Sequence, residues 1–130
     1  METGYSISKK LAISYDEAEK KVREKLKEHG FGVLTEINVQ KTFKEKINAE
    51  FRRYVILGAC NPTFAHKALS AETEIGLMMP CNVIVYEPDG GGAVVAAIDP
   101  VSAMGAVKNE QLKQIAASVR EKLAAVINAM

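Results

Sequence analysis

The chain is short of most features that would assign it a role. It has no surplus of charge: seventeen Lys and Arg against sixteen Asp and Glu leave a formal net charge of +1. Nucleic-acid-binding domains carry a basic face, and the positive clusters here, Lys41 to Lys46 and Arg52 with Arg53, read as a solvated surface, so no nucleic-acid partner is expected. Long apolar runs are missing as well. Val83–Tyr86 and Ala93–Ile98 fall far short of the roughly eighteen residues a membrane span needs. The opening METGYSISKK has no apolar stretch before a small-residue cleavage site, so a soluble, cytoplasmic protein without membrane contact is expected. Cysteine is scarce, and the two present, Cys60 and Cys81, read as reduced thiols rather than a structural disulfide. No C-x-x-C, His-Glu-x-x-His, Gly-x-Ser-x-Gly or dinucleotide fingerprint occurs. Gly90–Gly92 joins two strands and lacks the Lys-Ser/Thr partner of a phosphate loop. Triad hydrolysis and a complete metal signature are therefore without support.

What is present describes one globular domain: 130 residues, 48% hydrophobic and 25% charged, long enough to bury a core. Tyr5 to Ile13 alternates with period two, Lys9 interrupting the apolar face as in an edge strand. Ser14 and Glu17 form a capping box that starts a helix from Tyr15 to His29, with Tyr15, Ala18, Val22 and Leu26 as its buried stripe and Gly30 as its left-handed stop. His29 suits the carboxyl end of that helix. Phe31 to Gln40 predicts a second strand and Lys41 to Ala49 a short helix; Tyr54 to Ala59 predicts a more central strand. Asn61-Pro62 starts another short helix, ending near Leu69, and Ala71 to Gly76 connects it to a strand over Leu77 to Glu87. Pro88 to Gly92 is a hairpin turn, Ala93 to Ile98 the returning strand, and Asp99-Pro100 caps a helical turn. A final helix from Glu110 to Ala129 carries Leu112, Ile115, Ala116, Val119, Leu123, Val126 and Ile127 on one face. The expected fold is α+β, in the order β-α-β(4)-α with short inserted helices. Its antiparallel sheet packs against two long helices on one face and leaves the other partly open.

The stretch from Ile56 to Glu87 concentrates the unusual residues. The segments ACNP (Ala59–Pro62), AHKAL (Ala65–Leu69), IGLMMPCNVIVYE (Ile75–Glu87) and IDP (Ile98–Pro100) resemble a widespread prokaryotic family, catalogued as domain of unknown function 302. The resemblance covers nearly the whole chain and implies the same α+β architecture. It implies no activity, because a shared fold does not carry function.

Within that stretch Cys60 ends one strand and Cys81 stands near the start of its expected antiparallel neighbour, so the two thiols can approach each other. His66 lies on the intervening helix. Two sulfurs and an imidazole suit a transition metal such as copper or zinc, and close thiols suit disulfide exchange or sulfur transfer. Free cysteines are also common as small buried hydrophobes, and a histidine in an apolar helix is more often a boundary residue than a ligand. Asn61 and Asn82 each follow a cysteine. Capping accounts for Asn61, whereas an amide within an apolar strand, Asn82, needs partners or a cleft. Glu72 and Glu74 can line the same cleft or be ordinary exposed charges. The favoured expectation is a module binding a metal ion or small ligand at Cys60, Asn61, His66, Cys81 and Asn82, with metal ligation by Cys60, Cys81 and His66. The rivals are a thiol-based redox or sulfur-transfer enzyme using the two cysteines and a structural interaction domain without catalysis. A homodimer is the expected assembly, since twofold dimers are the commonest oligomers.

Overall fold

In the computed structural model, which describes residues 3–130, each helix starts where a side chain satisfies free amides of its first turn. (The reading of the opening ten residues thus rests in part on two that lie outside the described residues.) Strand β1 spans Ser6–Leu11 and helix α1 Tyr15–Glu28. The Ser14 hydroxyl oxygen accepts from the Glu17 amide at 3.2 Å. The Glu17 carboxylate accepts from the Ser14 hydroxyl at 3.1 Å, so the box closes side chain to side chain rather than onto a backbone amide. α1 buries Tyr15, Ala18, Val22 and Leu26 as the periodicity requires. It stops at His29, whose Nδ1 donates to the Lys25 carbonyl at 2.8 Å, and at Gly30 with φ +84°.

Two element starts differ from expectation by two residues or more, the first through capping. Strand β2 is Gly32–Asn38, and α2, Val39–Ile47, begins two residues earlier than the alternation suggests. Asn38 Oδ1 accepts from the Lys41 amide at 3.0 Å, and this cap draws Val39 and Gln40 into the helix. After β3 (Tyr54–Cys60) and α3 (Pro62–Ala71), residues Thr73–Met78 form a 3-10 turn, so strand β4 is only Cys81–Tyr86. Leu77 and Met78, expected in the strand, belong to that turn. β5 is Ala93–Ile98, α4 Pro100–Ala103 and α5 Glu110–Asn128.

The sheet order is β1-β5-β4-β3-β2 and every pairing is antiparallel. Period-two alternation therefore divides the strands into two faces. Val55, Leu57 and Ala59 of β3, Val83 and Val85 of β4, and Val95 of β5 turn to one side, where α1 and α5 cover them in a single apolar core. Each valine or leucine among them contributes roughly 1.5–3 kcal/mol by leaving water. Lys9 shares this face at the edge, and its amine donates to the Asn128 carbonyl at 3.4 Å, at the negative end of α5.

The opposite face carries Ile37, Ile56, Ile84 and Ala96 in one row across four strands, and no long helix covers it. Gly58 lies on this side, opposite Asn82. A Cβ there would run into Thr35 Oγ1 and stand 2.8 Å from Pro80 Cγ, which explains the residue by the close passage of its neighbours.

Candidate functional site

The ladder between β3 and β4 ends with Ala59 opposite Cys81, one residue from Cys60, and it is here that the structure leaves space. Asn61 turns the chain out of β3, its Oδ1 accepting from the Phe64 amide at 3.3 Å, and α3 then runs back over the end of the sheet. On the far side, Asp99 Oδ1 accepts from the Val101 and Ser102 amides at 3.0 and 3.4 Å, starting α4. Arg120 Nε donates to Asp99 Oδ2 at 2.9 Å and ties that turn to α5. The sheet end, α3, α4 and α5 thus line a small, half-open chamber of about 50 Å³.

Its walls are hydrocarbon and sulfur. Phe31, Phe64 and Ala68 face Ile115, Ala116 and Val119 of α5. Between them stand Cys60, Cys81, Met78, Met79 and Met104. Asn61 supplies the one polar side chain of the lining. A groove of about 280 Å³ adjoins it, bounded by the same Met78, Met79, Cys81, Pro100 and Met104 and extended by Leu77, Asn82 and Ile98. Leu77 is 88% exposed at its edge, an apolar residue left in water beside an opening.

The cysteines are free and half-buried. Burial, and then the neighbouring Cys60, push the Cys81 thiol up to about 11. At neutral pH its thiolate fraction is on the order of one in ten thousand, well below that of a free cysteine. That is the opposite of the tuning a nucleophilic or disulfide-exchanging thiol needs.

The five residues singled out in the sequence are not all together. Cys60, Asn61 and Cys81 line the chamber. Asn82 is exposed on the uncovered sheet face and borders the outer groove, so solvent satisfies its amide. His66 is exposed on α3 and lines neither space. Among the described residues no three His, Cys, Asp or Glu side chains group to hold a metal, so the expected Cys60, His66, Cys81 triad does not close. The reason is helical phase: α3 presents Phe64, Ala65 and Ala68 inward, and position 66 falls about 200° from 64, on the outer side. Glu72 and Glu74 are likewise exposed and outside the lining. Sequence reasoning missed the methionines. Leu77 to Met79 read as the start of a strand, and Met104 lies beyond the stretch that drew attention. The sulfur-rich LMMP run before Cys81 was the available signal.

The model of the family described as domain of unknown function DUF302 matches residues 7–130. The chain belongs to that family. The solved structure of an uncharacterised conserved DUF302 protein from Bacillus stearothermophilus is similar throughout, with 29% sequence identity, a TM-score of 0.89, and 97% of this chain and 98% of that one covered. No curated protein matches the chain. Membership accounts for the α+β fold, and the family's description assigns it no activity. Among the described residues of this DUF302 chain, no helix is long and apolar enough to cross a membrane.

Proposed function

We propose that this DUF302 protein is a small binding module whose ligand occupies the chamber at the Cys60 and Cys81 end of the sheet. The observation that carries the reading is a half-open apolar chamber adjoining an outer groove, both bounded by Met78, Met79 and Cys81. Apolar enclosures with few placed polar groups are the usual form of small-ligand sites. Binding is favoured over catalysis because, among the described residues, no carboxylate, imidazole or ammonium lines the chamber to move a proton. The thiol-enzyme alternative is weakened by the raised Cys81 thiol.

The test is xenon pressure with the methyl resonances of the folded protein observed by NMR. Xenon is a one-atom apolar probe of enclosed space. Saturable shifts confined to Ala68, Ile115, Ala116 and the methionine methyls are expected, and Ala65→Trp, on the half-buried rim of α3, should abolish them. Shifts spread evenly over the molecule, or none at the chamber, would defeat the reading.

A further inference from the structure

The composition of the chamber wall narrows the ligand. The chain has two cysteines and five methionines, and both cysteines with three of the methionines meet at this one lining. They arrive from separate elements: Cys60 from the end of β3, Met79 and Cys81 from the approach to β4, Met104 from the turn after α4. Methionine fills core gaps readily, but gap filling gives no reason for it to gather around both thiols of the chain. Among the described residues no histidine, carboxylate, lysine or arginine lines the space.

We propose that the chamber binds a monovalent soft metal ion, copper(I), through the Cys81 sulfur and the thioethers of Met79 and Met104. The inference rests on the binding reading above and names its ligand class. Thiolate and thioether donors select copper(I), whereas zinc draws its ligands from thiolate, imidazole and carboxylate and is not held by thioethers. Charge points the same way. A buried charge in apolar surroundings is costly unless neutralised. One thiolate with one monovalent cation and neutral thioethers is uncharged, while a divalent cation on the same donors leaves a net positive charge that no chamber side chain offsets. Binding replaces the Cys81 S–H bond with an S–Cu bond. The displaced proton leaves through the outer groove to water, the thioether sulfurs donate lone pairs, and copper remains in the +1 state throughout. The small chamber volume suits an ion with protein donors better than a molecule of several heavy atoms. The groove, reaching Met78 and Met79 from solvent, is its entry path.

The experiment is an anaerobic titration of the full chain with copper(I) against the chelator bicinchoninate, with zinc(II) as competitor. A single copper(I) per chain is expected, with thiolate-to-copper absorption in the ultraviolet and no displacement by zinc. Cys81→Ser should weaken binding by about 100-fold or more, since loss of a direct ligand exceeds the 10–100-fold typical of outer-shell changes. The double variant Met79→Leu, Met104→Leu nearly conserves volume, so it should leave the melting temperature close to that of the parent while weakening copper(I) by about tenfold or more. Full transfer of the metal to an equimolar chelator, displacement by zinc, or unchanged affinity in the folded methionine double variant would overturn the proposal. Xenon filling the chamber with copper(I) rejected would remove the ion and keep the binding reading; absent xenon shifts would remove the binding reading itself.

Discussion

The two ends of the β3–β4 ladder are built from different chemistry. At one end Tyr54 lies opposite Tyr86 with the rings stacked, centroids 5.5 Å apart and planes 12° from parallel. Phe51 leans on Tyr54 at 6.1 Å, and Phe43 meets Phe51 edge to face at 5.1 Å. Beside this ladder the Arg53 guanidinium sits 4.3 Å over the Tyr15 ring and pairs with Asp16, while Arg23 bridges Glu19 at 3.1 Å and Glu36 at 2.9 Å. At the other end, one strand length away, the Arg120–Asp99 pair stands behind the wall, and the chamber lining itself is caps, short helices and sulfur. Aromatic stacks and ion pairs are directional and hold geometry. Methionine thioethers are flexible and weakly directional. The rigid end therefore supports the sheet, and the soft end is where the proposed site lies.

The comparison breaks most severely if the strand joining the two ends is cut at its middle. Leu57 is fully buried on the covered face of β3, and Leu57→Ala should cost about 2–5 kcal/mol, read as a lowered urea midpoint. Tyrosine near-ultraviolet dichroism and Cys60/Cys81 alkylation should report the same transition; two separated transitions would show that the ends fold independently.

Alkaline titration sharpens it. Cys81 ionises near 9.0 when unfolded and near 11 when folded, so the unfolded state releases its proton first. Stability from the neutral thiol is complete below pH 9 and is lost as pH rises from 9 to 11, about 2–3 kcal/mol in all. Cys81→Ser should flatten denaturation free energies over that window. Burial, and then Glu19, push the Tyr15 hydroxyl from 10.0 to about 12. The rigid end should thus lose stability in a later window, from pH 10 to 12, which Cys81→Ser leaves intact. If that variant also removed the later loss, the two ends would not titrate separately.

The smallest effect comes from Arg53→Met, which keeps the stem over Tyr15 and removes the charge. The pair is solvent-screened, so a loss of about 0.5–1 kcal/mol is expected from the cation–π contact, shrinking with added salt. Xenon shifts at the chamber should not change; a change there would couple the two ends.

Much of this was legible in single residues. Ser14, Asn61 and Asp99 start helices because a short oxygen-bearing side chain followed by free amides has one local solution. The stripes of α1 and α5 and the alternation of β3 and β4 follow from periods that do not depend on the rest of the chain. The start of α2 was misplaced because Asn38 can end a strand or cap a helix, and alternation through Val39 does not distinguish the two. The start of β4 was misplaced because Leu77, Met78 and Met79 are apolar in either a strand or a turn.

At the site, the nearness of Cys60 and Cys81 followed from hairpin-like order, while the fate of His66 depended on a rotation of α3 about its axis. The sequence by itself determined the order of the main elements, the caps of α1, α3 and α4, the antiparallel order of the central strands and the family, since these rest on local spacing and motif. Only the tertiary structure decided that His66 faces solvent, that Met79 and Met104 join the cysteines, and that the sheet end stays hollow. Those depend on how elements distant in sequence pack, and packing is read from three dimensions, where side chains from β3, β4, α4 and α5 share one volume.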